Sequence, residues 1–257
     1  MREVVTVSVV IPTYNRAALL RESLESVAAQ TYRDFEILVV DDGSTDDTRS
    51  VVESSGARWI PIGHSGLQAA VRNRGIEQAQ GEYVAFLDSD DRWLPEKLKR
   101  QVELLRERPE FALTCCNAHR LVDGKHEGLL HRPGTLRTGD VFDALLKRNF
   151  VVNSSVLVRR ATLTEVGGLD EDPALKSVED YDLWLRIAST RKVHSFDDPL
   201  VDYRIHPGNE SWDVEQTQRG LARCYEKVLQ AGHGRGRVAA RMRRLRLIAR
   251  AWWSSRG

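Results

Sequence analysis

From the N-terminus to Arg106, apolar and polar residues come in alternating blocks of two periods. Val4 to Ile11 is an almost unbroken β-branched run ended by Pro12, the pattern of a strand buried on both faces. From Arg16 to Ala29, residues Leu19, Leu20, Leu24, Val27 and Ala28 recur near helical spacing. Phe35 to Val40 predicts a second strand, and Ser44, Thr45 or Asp46 can cap a helix reaching Ser54. Arg58 to Ile62 is a weaker third strand. Gly66 to Gln80 predicts a helix closed by Gly81, and Tyr83 to Leu87 a fourth strand. Pro95 then opens a helix to Arg106. This alternation predicts an α/β fold with a mostly parallel, Rossmann-like central sheet flanked by helices. Such sheets bind ligands outside the carboxyl ends of their strands.

The pattern loosens afterwards. Phe111 to Cys116 reads as a strand, His119 to Gly139 as a long polar loop or hairpin, and Val141 to Leu146 as a helix. Val151 to Val158 reads as a strand, and Thr162 to Val166 as a short helix stopped by Gly167 and Gly168. Val178 to Ser189 is a strong helix. Val193 to Phe196 and Leu200 to Ile205 read as two short strands, followed by a helix from Val214 to Gln230.

Three predicted strand ends carry chemistry: Pro12-Thr13-Tyr14-Asn15, then Asp41-Asp42-Gly43-Ser44, then Asp88-Ser89-Asp90-Asp91. In extended geometry Asp88 and Asp90 point to one side. Converging carboxylates there suit a hard cation and its phosphates, and equally an Asp-rich turn. A carboxylate at Asp42 can accept a base N–H, or close an Asx turn. No GxGxxG or Walker-type loop follows the first strand, which disfavours nicotinamide or flavin chemistry.

Composition narrows the classes. The 257 residues suffice for one large α/β domain with a small appendage. A net charge of +1 gives no basis for a nucleic-acid partner. The cysteines Cys115, Cys116 and Cys224 show no metal spacing, and their odd number argues for a reduced, cytoplasmic chain. The N-terminal apolar run is too short to span a bilayer and lacks a signal-cleavage pattern.

The segments VSVVIPTYNR, QTYRDFEILVVDDGSTDDT, AAVRNRGIEQAQGEYVAFLDSDDRWLP, VGGLDED and SVEDYDLWLRIA, in that order, resemble those of a family 2 glycosyltransferase of the GT-A fold. The resemblance runs from about Val7 to His206. It implies inverting transfer of a sugar from a nucleoside-diphosphate sugar, here a UDP-sugar, to an acceptor hydroxyl, with Mn2+ or Mg2+ as cofactor. It implies that Pro12, Thr13, Tyr14 and Asn15 form the first nucleotide loop. Asp42 would read the base, with Asp41 beside it, and Arg72 and Asn73 would lie near the nucleotide. Asp88, Ser89 and Asp90 match the DXD motif, Asp88 towards the ribose and Asp90 on the metal. Asp180 matches the general base, with Glu179 beside it. His206 matches a histidine that in some members approaches the metal or diphosphate, and is equally a loop histidine. Trp184 can be core or stack on a sugar.

The expected organisation is a glycosyltransferase domain over 1–232, with a nucleotide-binding half (1–110), an acceptor and catalytic half (111–210) and a C-terminal helix (211–232). A basic amphipathic tail over 233–257 follows, with no acidic residue beyond Arg235. Its arginines and terminal tryptophans suit either peripheral contact with an anionic membrane, at the inner face, or packing on the domain. The expected partners are the sugar nucleotide and a saccharide, lipid-linked or other hydroxyl acceptor in cell-envelope polysaccharide or glycoconjugate synthesis. The rival readings are a non-catalytic nucleotide-sugar-binding protein of the same fold and a nucleotidyltransferase. The latter wants a Gly-rich, basic first loop, and PTYNR offers only Arg16.

Overall fold

Strand β1 (Val7–Thr13) is the axis of the fold, because its alternate side chains start two separate cores. It pairs in parallel with β2 (Phe35–Asp41) on one side and β4 (Tyr83–Phe86) on the other, and β2 pairs in parallel with β3 (Arg58–Pro61). Val10 faces one core with Leu38, Val84 and Phe86. Val7, Val9 and Ile11 face the other with Val39, Tyr83 and Ala85. This period of two is the pleat itself. The computed structural model describes residues 5–206 and 213–232. The predicted tail over 233–257 lies outside them.

Helices cover both faces, as a parallel sheet requires. On the Val10 face lie α3 (Gln68–Gln78), α5 (Phe142–Lys147), α6 (Arg160–Val166), α7 (Glu179–Ala188) and α8 (Val214–Gln230). The other face carries α1 (Ala17–Ala28), α2 (Thr48–Ser55) and α4 (Lys97–Glu107). Helix α3 packs so closely on β1 that a Cβ at Gly75 would fall 2.4 Å from a Val10 methyl. Trp184 is 1% exposed, 6.2 Å from the Phe86 ring, so it is a core residue and not a sugar platform.

The second half joins the same sheet. Strand β8 (Leu157–Arg159) pairs antiparallel with β4 and with β6 (Phe111–Val122). Strand β9 (Lys192–Ile205) pairs parallel with β6 and antiparallel with β5 (Arg92–Trp93). The order is β3-β2-β1-β4-β8-β6-β9-β5, with β7 (Lys125–Leu129) forming a hairpin on β6. The sheet is thus parallel through its first half and mixed beyond.

Of the two alternatives expected after His119, the hairpin forms over part of the stretch, turned by Asp123 and Gly124 at φ 47° and 76°. Successive positive φ values are the signature of a type I′ turn, and Asp-Gly is its sequence signal. The two strands expected over Val193–Ile205 are one strand with register shifts opposite Cys116 and Asn117. The strand expected over Val151–Val158 is a 3-10 turn at Asn153–Ser155 before β8. Its polar groups are claimed by tertiary partners: Asn153 donates to Asp88, Ser154 to Asp91, and the Ser155 carbonyl accepts from Gln101. Gly81 does not close α3, which ends at Gln78. It is a close-approach glycine, since a Cβ there would sit 2.6 Å from the Ser8 nitrogen.

Candidate active site

The carboxyl ends of β1, β2 and β4 open onto one cleft, because parallel pairing forces their ends to the same edge. The outer part is a cavity of about 320 Å³ lined by Pro12, Thr13, Tyr14, Asp42, His64 and Ser89, among others. Tyr14 is 41% exposed and stacks on His64, with ring centroids 4.3 Å apart. The Asp42 carboxylate is buried and well engaged. It accepts from the Ser65 N–H and hydroxyl at 2.7 and 2.9 Å and from the Gly66 N–H at 3.0 Å. It thereby ties the loop after β3 to the end of β2. Asp41 is structural in the same sense, accepting from the Ser44 N–H and the Trp59 indole N–H.

After β4 the three aspartates divide. Asp91 is buried and accepts from the Ser154 hydroxyl (2.5 Å) and the Arg204 N–H (2.8 Å). Burial, then the neighbouring Asp90 and Asp88 charges, push its carboxyl well above the usual range. Asp88 accepts through Oδ1 from Arg72 and Asn153, both at 2.8 Å. Asp90 Oδ2 lies 2.6 Å from the Arg16 guanidinium and 3.1 Å from His206 Nε2. Asp88, Ser89, Asp90, Arg16 and Arg72 line the inner cleft together with Glu179 and Asp180.

Arg72 links the two halves. From α3 it bonds Asp88 at 2.8 Å and Glu179, on the first turn of α7, at 2.5 Å. Burial opposes its charge, but these two carboxylates override burial and raise its pKa. Asp180, partly exposed to the cleft, accepts from the Tyr181 N–H at 2.6 Å. Burial first, then the Glu179 charge, raise its carboxyl to about 7 against the opposing pull of Arg72. That value suits a proton acceptor near neutral pH. The preceding Ser177 holds φ at 70° and also lines the cleft, a costly conformation for a residue with a Cβ.

Several buried polar atoms of residues lining this cleft have no partner among the described residues: Thr13 Oγ1, Gln68 Oε1, Arg72 Nε, Asn153 Oδ1 and Glu179 Oε2. Buried polar atoms are nearly always satisfied. Their gathering around one cleft marks a site built for a polar ligand.

Two predicted residues are turned elsewhere. Asn73 holds the loop before α7 instead of facing the nucleotide cleft: its amide donates to the Leu169 carbonyl and Glu171, and its oxygen accepts from the Leu169 N–H. Neighbours on a helix point about 100° apart, so Arg72 and Asn73 cannot share one target. Asn15, at φ 49°, latches the first two loops through the Ser44 hydroxyl and the Thr45 N–H. Sequence reasoning missed His64, Gln68, Asn153 and Ser177 as cleft residues. Only the φ-sensitive loop positions and the polar interruption at Asn153 hinted at them.

Among the described residues no group of three or more His, Cys, Asp or Glu forms a ready metal cage. Asp90, with His206 at 3.1 Å, nevertheless suits a cation shared with a ligand, since magnesium-type sites commonly use one or two carboxylates and complete their shell with phosphates and water.

The architecture defines an α/β protein with a polar cleft at the carboxyl edge of its parallel strands. A family profile described as "Glycosyl transferase family 2" matches residues 8–166, and the chain belongs to that family. It is a glycosyltransferase. The chain is 32% identical over 80% of its length, and 79% of the relative, to the Escherichia coli UDP-Glc:alpha-D-GlcNAc-diphosphoundecaprenol beta-1,3-glucosyltransferase WfaP. It resembles Staphylococcus aureus TarS 1-349 in complex with UDP-GlcNAc at TM-score 0.70 and 24% identity, covering 87% of this chain and 66% of that one. It also resembles the mannosyltransferase PcManGT from Pyrobaculum calidifontis in complex with GDP-Man and Mn2+ at TM-score 0.68 and 22% identity, covering 89% and 65%. These structural likenesses establish the GT-A fold. The chain spans 33% of one curated relative from Rickettsia bellii and 68% of another from Rickettsia typhi. Among the described residues no helix is long and apolar enough to cross a membrane.

Proposed function

We propose that this chain is an inverting, metal-dependent transferase that moves a sugar from a UDP-sugar to an acceptor hydroxyl, with Asp180 as general base. The carrying observation is the meeting, around one cleft, of the nucleotide-side loops, the Asp88–Asp90 pair and Asp180. The Tyr14 and Asp42 cavity takes the base, Asp88 the ribose, and Asp90 with His206 the metal. A divalent cation between Asp90 and the diphosphate would offset the charge that develops on the leaving group. Arg16, now paired with Asp90, is placed to turn towards the same diphosphate. Asp180 accepts the acceptor's hydroxyl proton as the new bond forms. Inversion is a single displacement, so no second carboxylate is needed as nucleophile. Glu179, paired with Arg72, positions Asp88 and Asp180 and does not itself take the proton.

The function divides along the chain. Residues 1–110 hold the donor, 111–210 supply base and acceptor site, and α8 braces α7. Both the WfaP relative, named for a UDP-glucose donor and a lipid-diphosphate acceptor, and the UDP-GlcNAc complex of TarS favour a UDP-sugar, and the acceptor named for WfaP favours cell-envelope glycan synthesis. Three free, buried cysteines suit the reducing cytoplasmic side. The test is binding and turnover across UDP- and GDP-sugars with Mn2+ or Mg2+. Metal-dependent UDP release from one donor is expected. Failure of every sugar nucleotide to bind would overturn the reading.

A further inference from the structure

Beside the base lies a second cavity, of about 420 Å³, lined by Asp88 and Asp180 and also by His131, Arg148, Phe150 and Tyr181. It shares His131, Arg148 and Phe150 with a third cavity of about 290 Å³, to which Arg137 and Lys147 contribute. The two therefore adjoin, and a molecule whose hydroxyl meets Asp180 can extend towards the third cavity.

The third cavity is basic without compensation. Among the described residues no carboxylate lines it. Lys147 and Arg148 are exposed, and among the described residues neither they nor Arg137 pairs with an acidic side chain. Elsewhere most cleft cations are paired, as Arg16 and Arg72 are. His131 is 6% exposed, and its Nε2 has no protein partner. Burial, then the nearby Arg148 charge, lower its pKa. The guanidinium groups of Arg137 and Arg148 and the ammonium of Lys147 match the geometry and charge of a phosphate.

We propose that the acceptor is a phosphate-bearing saccharide, whose phosphate or diphosphate is held by Arg137, Lys147 and Arg148 while its hydroxyl reaches Asp180. This inference rests on the transferase reading above and specifies its acceptor. The phosphate takes no part in bond making. The anion site serves to orient the acceptor and to exclude neutral sugars. A lipid-linked sugar diphosphate and a free sugar phosphate share this chemistry.

The test is calorimetry on the full chain with UDP and Mg2+ filling the donor side. The probes are methyl phosphate, glucose 1-phosphate, decyl-diphosphoryl glucose and neutral glucose. Each charged probe is expected to bind the Lys147→Ala/Arg148→Ala variant roughly tenfold to hundredfold more weakly than wild type, as lost charged hydrogen bonds predict. Glucose and UDP should bind both proteins alike. Tighter binding of decyl-diphosphoryl glucose than of glucose 1-phosphate identifies a lipid-linked source, and equal binding a free sugar phosphate. Equal affinity of wild type and variant for the charged probes overturns the proposal. If the double variant also loses UDP, the single surface change Lys147→Gln decides, and unchanged methyl phosphate affinity in it is equally fatal. UDP binding without anion binding sinks this inference alone, whereas loss of all nucleotide binding in wild type sinks the transferase reading itself.

Discussion

The two sides of the cleft treat their polar groups differently. On the nucleotide side, Asp41, Asp42 and Asp91 are largely engaged by the protein's own N–H and hydroxyl groups. They hold loops in place before any ligand arrives. On the far side, among the described residues, Asp180 bonds its neighbour's N–H alone, His131 Nε2 has no partner, and Lys147 and Arg148 pair with no acidic side chain. One side is a preorganised scaffold, where hydrogen bonds set the shape of a nucleotide pocket. The other keeps reactive and charged groups unspent. Arg72 joins them, with one hand on Asp88 and the other on Glu179.

The contrast makes Asp180 the most costly single change for turnover. Asp180→Asn should reduce kcat by roughly a hundredfold to ten-thousandfold, the usual worth of a general base. UDP affinity should be nearly unchanged, since the scaffold side is untouched. Steady-state kinetics with parallel UDP titration checks both halves, and near-normal kcat would remove Asp180 from the role.

Its pH dependence follows with the same sign. A base must be deprotonated, and the Asp180 carboxyl is raised to about 7. Below that pH, kcat/KM should fall about tenfold per unit as the carboxyl gains its proton. For stability the sign is reversed: with its folded pKa raised above the ordinary value, ionisation of Asp180 costs the folded state more than the unfolded one. Folding is therefore least helped by this group once pH exceeds about 7. A pH–rate profile without an acid limb would contradict the assignment.

On the scaffold side the expected effect appears first in stability. Asp42→Ala removes the acceptor for the Ser65 and Gly66 groups and should cost about 2–3 kcal/mol, with a lower Tm and weaker UDP binding. A change in UDP affinity with no loss of Tm would mean that Asp42 acts on the base alone, and would blur the contrast between the two sides.

The smallest effect is expected at the junction. Ser177 sits at φ 70° just before α7. Ser177→Gly should relieve strain worth about 1 kcal/mol, partly offset by the flexibility glycine adds to the unfolded chain. A raised Tm with slower turnover would show that the strained turn also aims Asp180. A raised Tm at full activity would confine its role to the backbone.

Much of the first half was legible because burial on both faces leaves a strong signature. The β-branched run at β1, the apolar run at β4 and the helical spacing in α1 reappear within a few residues of expectation. The second half was harder to read, since its strands are short or bulged and pair with distant partners. Asn153–Ser155 sits amid an apolar run that reads as strand, yet its polar groups are drawn off to Asp88, Asp91 and Gln101. Nothing local in VVNSSVLV signals those partners, which are brought in from β4, α4 and the loops between.

The same boundary separates what each level determined about the site. The sequence by itself determined the family, the parallel half of the sheet and the residue types at its strand ends, because these follow from periodicity and from ordered blocks of local chemistry. Only the tertiary structure decided which of those residues face the cleft. It turned Arg72 into the site and Asn73 away from it. It set His131, Lys147 and Arg148 around a basic cavity near the base. Side-chain direction and the supply of partners depend on chain segments far apart in sequence, and these meet only once the sheet has closed and its two cores have packed.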